Sequence, residues 1–176
     1  MSWKLIGARS ETGAQPVKLM IAAVGRLKAG PERELSARYV ERSSASCRAV
    51  GLTGFEVREI DESRARRMED RRADEARALL ALLPDHARIV ALDERGKHLT
   101  SEAFAADVRK ARDAATSAYA LVIGGPDGLD ESLRARAGLV IAFGALTWPH
   151  QLARVLAAEQ TYRAITILAG HPYHRA

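Results

Sequence analysis

Cysteine is nearly absent from this 176-residue chain. Cys47 stands alone, so an internal disulfide is impossible and a reducing, cytoplasmic setting fits. It lies in a Ser/Ala-rich stretch without metal-ligand spacing and reads as an inert thiol. No apolar run approaches the roughly 20 residues that a bilayer-spanning helix needs. Residues 1–15 also lack the apolar core of a signal peptide. The phosphate-cradling motif GxxxxGK(S/T) is missing, as are a GxGxxG after the first strand, HExxH and the GxSxG elbow. These absences give no support to nucleotide-phosphate, zinc-protease or triad-hydrolase chemistry. His171 and His174 are three apart without a third ligand, so no metal is expected. An aromatic RNP-type strand, the mark of one kind of stand-alone RNA binder, is absent too.

What is present describes a globular α/β protein. The apolar share is 47%, and the length suffices for one core without staples. Lys and Arg number 27 against 22 Asp and Glu, with a pI near 9.7. That excess is compatible with nucleic-acid binding without requiring it. Residues 1–16 are polar and aperiodic and read as a flexible N-terminal extension or a misassigned translation start. Residues 17–176 read as a single domain.

Apolar runs at 18–24, 87–92, 119–123 and 139–143 read as strands, with 55–60 alternating as a strand with one wet face. Helices are expected at 32–44, 62–83, 101–115, 129–137 and 149–163, the third capped by Thr100 or Ser101. A last short strand is expected at 165–168. Strands alternating with helices imply a mostly parallel sheet. The arginines Arg64, Arg66, Arg67, Arg71 and Arg72 read first as a solvated face laced with i,i+4 pairs. Contact with RNA phosphates is the second reading.

Two strands end in glycine turns, at Gly124-Gly125-Pro126-Asp127-Gly128 and at Gly144 within the run Phe143 to Trp148. Bare backbone at strand ends suits a flat ligand such as an adenine ring. Beyond Pro149, His150 and Arg154 are four apart and share a helix face, while Leu152, Val155 and Leu156 point elsewhere. Burial of the leucines would leave His150 and Arg154 toward a cleft. The tail His171-Pro172-Tyr173-His174-Arg175 carries side chains suited to phosphate contact and base stacking.

The stretches IGGPDGL, ALTWPHQLARVLAAEQTYRA and HPYHR, with LMIAAVGRLK and IVALDERGK upstream, resemble the ribosomal RNA large subunit methyltransferase H family of the SPOUT superfamily. The resemblance implies a SPOUT-type α/β fold with a C-terminal trefoil knot. It further implies a homodimer, S-adenosylmethionine as cofactor, and methylation of N3 of a pseudouridine in 23S rRNA on the assembled ribosome. By motif position, the cofactor contacts would be Leu92, Gly124, Phe143, Gly144, Ala145, Leu146, Thr147 and Trp148. The base-binding side would comprise His150, Arg154, His171, Tyr173 and His174. Of these, Arg154, Tyr173 and His174 would carry the chemistry, with Arg154 as electrostatic partner. A SPOUT enzyme for another RNA position and a non-catalytic ribosome-binding factor are the competing readings.

Overall fold

Four apolar runs and the alternating segment 55–60 become the strands of one sheet in the computed structural model, which describes residues 16–174. The extension expected at 1–16 lies, apart from Pro16, outside the described residues. The strands are β1 (Lys18–Val24), β2 (Phe55–Ile60), β3 (Arg88–His98), β4 (Ala118–Ile123) and β5 (Leu139–Ala142). All pair in parallel, in the order β2-β1-β4-β3-β5. Between them run α1 (Pro31–Cys47), α2 (Met68–Leu82), α3 (Ser101–Asp113), α4 (Glu131–Arg136) and the final α5 (His150–Leu168). The α/β architecture with a parallel sheet is the one expected.

The unbroken apolar runs of β1 and β4 reflect cover on both faces. Leu19, Ile21 and Leu121 pack with residues of α1, α3 and α5, among them Cys47, Phe104, Ala157 and Ile165. Ala22, Val24 and Val122 meet Ala76 and Leu79 of α2 and Leu133 of α4. Each large aliphatic side chain removed from water in this way contributes about 1.5–3 kcal/mol. Burial also pushes the Cys47 thiol up to about 11, so it stays protonated and inert, as expected. At α3 the Thr100 hydroxyl accepts from the Ala103 N–H at 3.2 Å, the expected cap.

Three boundaries differ from expectation. The segment 165–168 is not a strand: α5 continues unbroken to Leu168. Its β-branched residues satisfy themselves within the helix, with Thr161 and Thr166 hydroxyls donating to the Ala157 and Arg163 carbonyls. Burial of Ala164 and Ile165 then overrides local strand preference. Helix α2 starts at Met68 rather than Glu62, because carboxylates of α2 hold the preceding segment out of the helix. The Ser63 N–H donates to Glu75 at 3.0 Å and the Ser63 hydroxyl to Asp74 at 3.0 Å.

The third difference shapes the site. The expected turn at 93–97 is part of β3, which pairs with Ile141 of β5 twice, through Leu92 and again through Lys97. Asp93 to Gly96 bulge out between these contacts, beyond the C-terminal end of β4. At Gly96 the returning chain lies directly on the Ile141 backbone, and an added Cβ would collide with it. Neither backbone can yield without breaking strand pairing. Gly96→Ala should therefore destabilise the protein by about 1–3 kcal/mol, read as a lowered midpoint of denaturant unfolding.

Candidate active site

The C-terminal ends of β3, β4 and β5 enclose a cleft of about 620 Å³, within the size range of small-molecule sites. Three chain segments supply most of its walls, with Arg72 of α2 and Arg134 of α4 added from the side. The β4 end contributes Ile123 and the turn Gly124 to Leu129, and the β3 bulge contributes Leu92 to Arg95. The segment after β5 contributes Phe143, Gly144, Leu146, Thr147 and Trp148, followed by His150 and Ala153 of α5.

Local forces hold each segment. Gly124 lies so close to the other side of its turn that an added Cβ would stand 2.8 Å from the Gly128 carbonyl carbon. Gly144 adopts φ +101°, a region that L side chains disfavour, although a Cβ added there would meet only open space. The Trp148 indole N–H closes the loop by donating to the Phe143 carbonyl at 3.0 Å. Leu146 and Trp148 remain 74% and 42% exposed, which leaves an apolar wall without cover. Of the residues expected at the cofactor, Leu92, Gly124, Phe143, Gly144, Leu146, Thr147 and Trp148 all line this cleft. Ala145 does not, and is exposed on the same loop.

The opposite wall is charged, and the sequence reading passed it over. Asp93 is bonded by Arg134 at 3.0 Å and by Arg95 at 3.1 Å. Burial alone would raise the Asp93 carboxyl, but the Arg95 and Arg134 hydrogen bonds outweigh it and hold the group below its ordinary value. On the far side of the glycine turn, the Arg71 Nε–H donates to the Asp127 carboxylate at 2.6 Å and the Arg72 Nε–H to the Asp127 carbonyl at 2.6 Å. The Arg71 hydrogen bond lowers the Asp127 carboxyl. The available signal was three polar residues, Asp93 to Arg95, directly after the apolar run Ile89 to Leu92.

His150 lines the cleft, but Arg154 does not face it, contrary to expectation. Arg154 is 1% exposed, while Leu152 on the same helix is 40% exposed. Its guanidinium donates to the Val24 and Gly25 carbonyls at the end of β1 and pairs with Glu59 of β2. Two unpaired strand-end carbonyls and a carboxylate outweigh the pull of solvent on this one side chain, whereas Leu152 meets no such inward partner. Burial draws the guanidinium's pKa down, and Glu59 opposes the shift.

The tail folds back on its own chain, away from the cleft. The Tyr173 hydroxyl donates to Glu159 at 3.1 Å, its ring lies 4.8 Å from Tyr162, and Arg163 covers it at 5.0 Å. His174 Nε2 lies 2.6 Å from Glu102, and the His171 Nδ1 accepts from the Tyr173 N–H at 3.1 Å. Burial, then Tyr39 and Glu159, pushes the Tyr173 phenol above its ordinary range, so it is neutral here. His171, Tyr173 and His174 are thus together, but not with Gly124 or the Phe143–Trp148 loop. Arg175 lies outside the described residues.

Because removal of Arg154 would leave Glu59 and two strand-end carbonyls without their donor, Arg154→Ala should lower unfolding stability by about 2–4 kcal/mol. Arg154→Lys should recover only part of that, since one ammonium cannot reproduce the guanidinium fork. Chemical denaturation of the three proteins measures both effects.

Comparison with known proteins places the chain in a family. Residues 17–174 match the family described as "Predicted SPOUT methyltransferase". The chain is 58% identical over 160 residues to the "Ribosomal RNA large subunit methyltransferase H" of Methylobacterium radiotolerans, covering 90% of this chain and 98% of the relative. It is 54% identical to the protein of the same name from Xanthobacter autotrophicus, over 91% of this chain and 100% of that one. On this evidence the chain belongs to the ribosomal RNA large subunit methyltransferase H family of SPOUT methyltransferases.

Proposed function

We propose that the protein is a cytoplasmic, S-adenosylmethionine-dependent enzyme that methylates N3 of a pseudouridine in 23S rRNA on the assembled ribosome, acting as a homodimer. The observation that carries this reading is the cleft where the Gly124 turn faces the Phe143–Trp148 loop, in a chain of a methyltransferase family. The relatives' name, which specifies ribosomal RNA of the large subunit, supports the substrate class.

The residues present fit the cofactor. Leu92, Phe143, Leu146 and Trp148 offer apolar surface for a flat heterocycle, and Gly124 and Gly144 offer bare backbone against it. When bound, S-adenosylmethionine supplies a methyl group already activated by a sulfonium. The protein's part is alignment, plus removal of the imide proton from N3 as the N–C bond forms and the S–C bond breaks. A neutral Tyr173 suits stacking and hydrogen-bond donation, which leaves the imidazole of His174 to take the proton. Arg154, buried beneath the start of α5, acts as a positioning residue. The trefoil knot belongs to the same reading.

A homodimer is supported by the exposed apolar residues beside the cleft, Leu99, Leu146, Trp148 and Leu152. It would also supply what one chain lacks, since the tail of one subunit would complete the cleft of the other. Incubation with labelled S-adenosylmethionine and ribosomes lacking the modification should place label on N3 of one pseudouridine of 23S rRNA. Gly124→Ala should weaken cofactor binding about tenfold or more, because the turn must open. His174→Ala should slow transfer by about 100-fold at unchanged cofactor affinity. Label on another nucleotide would refute the assigned position, and absence of both label and cofactor binding would refute the function.

A further inference from the structure

The arginines between β2 and α2 do not form the helix-face pairs their spacing suggests. Within 64–77 the ion pairs are Arg67 with Glu69, Arg77 with Asp74, and Arg71 with Asp127 across the fold. Asp61 is taken by Arg26 at 2.7 Å, and Glu62 lies against Gly25. Arg64, Arg66 and Arg72 have no carboxylate within salt-bridge distance among the described residues, and Arg64 and Arg66 are exposed.

These unpaired charges are tied to the cleft. The Arg71 guanidinium donates to the Ala65 and Arg66 carbonyls at 3.2 and 3.1 Å while its Nε–H holds Asp127 at 2.6 Å. One side chain therefore fixes the 64–67 segment beside the glycine turn. Arg72, adjacent in sequence, reaches the cleft wall itself. Three cations with no salt-bridge partner among the described residues thus extend from the cleft along its α2 side.

We propose that Arg64 and Arg66, continued by Arg72 at the cleft wall, form a contact surface for the RNA phosphodiester backbone flanking the target nucleotide, an inference that rests on the RNA-methylating reading above. The chemistry is that of backbone positioning. Guanidinium groups held by a rigid neighbour neutralise successive phosphates and set the register in which a base reaches the site. Arg71, paired to Asp127 and to backbone carbonyls, orients the segment without being free to bind phosphate.

The test compares full-length wild-type protein, Arg64→Ala/Arg66→Ala and Arg77→Ala for binding to unmodified ribosomes over a range of salt concentrations. Losing two phosphate contacts should make the slope of log affinity against log salt shallower by about 1.5 in the double variant. Arg77→Ala, away from the cleft, should keep the wild-type slope. S-adenosylmethionine affinity, measured by calorimetry on the protein alone, should be the same in all three. Equal slopes for wild type and double variant, or an equal loss in Arg77→Ala, would overturn the proposal. Normal salt behaviour with the predicted difference but no methyl transfer by the wild type would refute the enzymatic reading and leave the surface standing. Failure of the wild type to bind ribosomes would overturn both.

Discussion

The buried guanidinium of Arg154 is the constraint on which the active region depends. It joins three elements that are far apart in sequence: α5, the carbonyls that end β1, and Glu59 of β2. A parallel sheet leaves carbonyls unpaired at its C-terminal edge, and a buried carbonyl without a donor costs about 1–3 kcal/mol. Arg154 satisfies two of them at once. Its own charge is expensive to bury, and Glu59 offsets that cost only because donor and acceptor are held in register by the sheet. The start of α5 is thereby fixed over the strand ends, and with it the loop from Phe143 to Trp148 that leads into the helix.

With that anchor in place, the cleft divides into two unlike walls. The loop after β5 is closed by the Trp148 to Phe143 hydrogen bond and presents apolar surface and a bare glycine. The β3 bulge and α4 face it with Asp93, Arg95 and Arg134 locked in mutual hydrogen bonds. A fixed charge network does not need to reorganise when a ligand enters, which is the property electrostatic catalysis exploits. The apolar wall, by contrast, gains from any flat group that covers it.

The glycine turn at the end of β4 is held from behind by α2. Arg71 and Arg72 grip the two acceptors of Asp127, and Glu75, 5% exposed, lies beneath Gly125. Burial raises the Glu75 carboxyl, while the Ser63 N–H it accepts opposes the shift. Helix α2 thus braces the glycine turn and, through Arg71, also holds the preceding segment that carries Arg64 and Arg66. A single helix couples the cleft to the surface beside it.

The sequence by itself determined the sheet-forming segments, the two glycine turns and the Thr100 cap. Each of these follows from local chemistry: unbroken apolar runs need cover on two faces, left-handed or close-packed backbone needs glycine, and a hydroxyl satisfies a helix's first N–H groups. It also marked eight of the residues that line the cleft, because strand ends and their loops are adjacent along the chain. Only the tertiary structure decided where Arg154 points, since the carbonyls and carboxylate that draw it inward lie 95 to 130 residues away. The same holds for the strand expected at 165–168, which burial against the rest of the domain keeps helical. It holds for the Asp93–Gly96 bulge, created by double pairing to Ile141, and for the tail, docked on Glu102 and Glu159. Periodicity tells which side of an element is apolar. It does not tell which distant group will meet a polar side chain, and the chemistry of this site depends on those meetings.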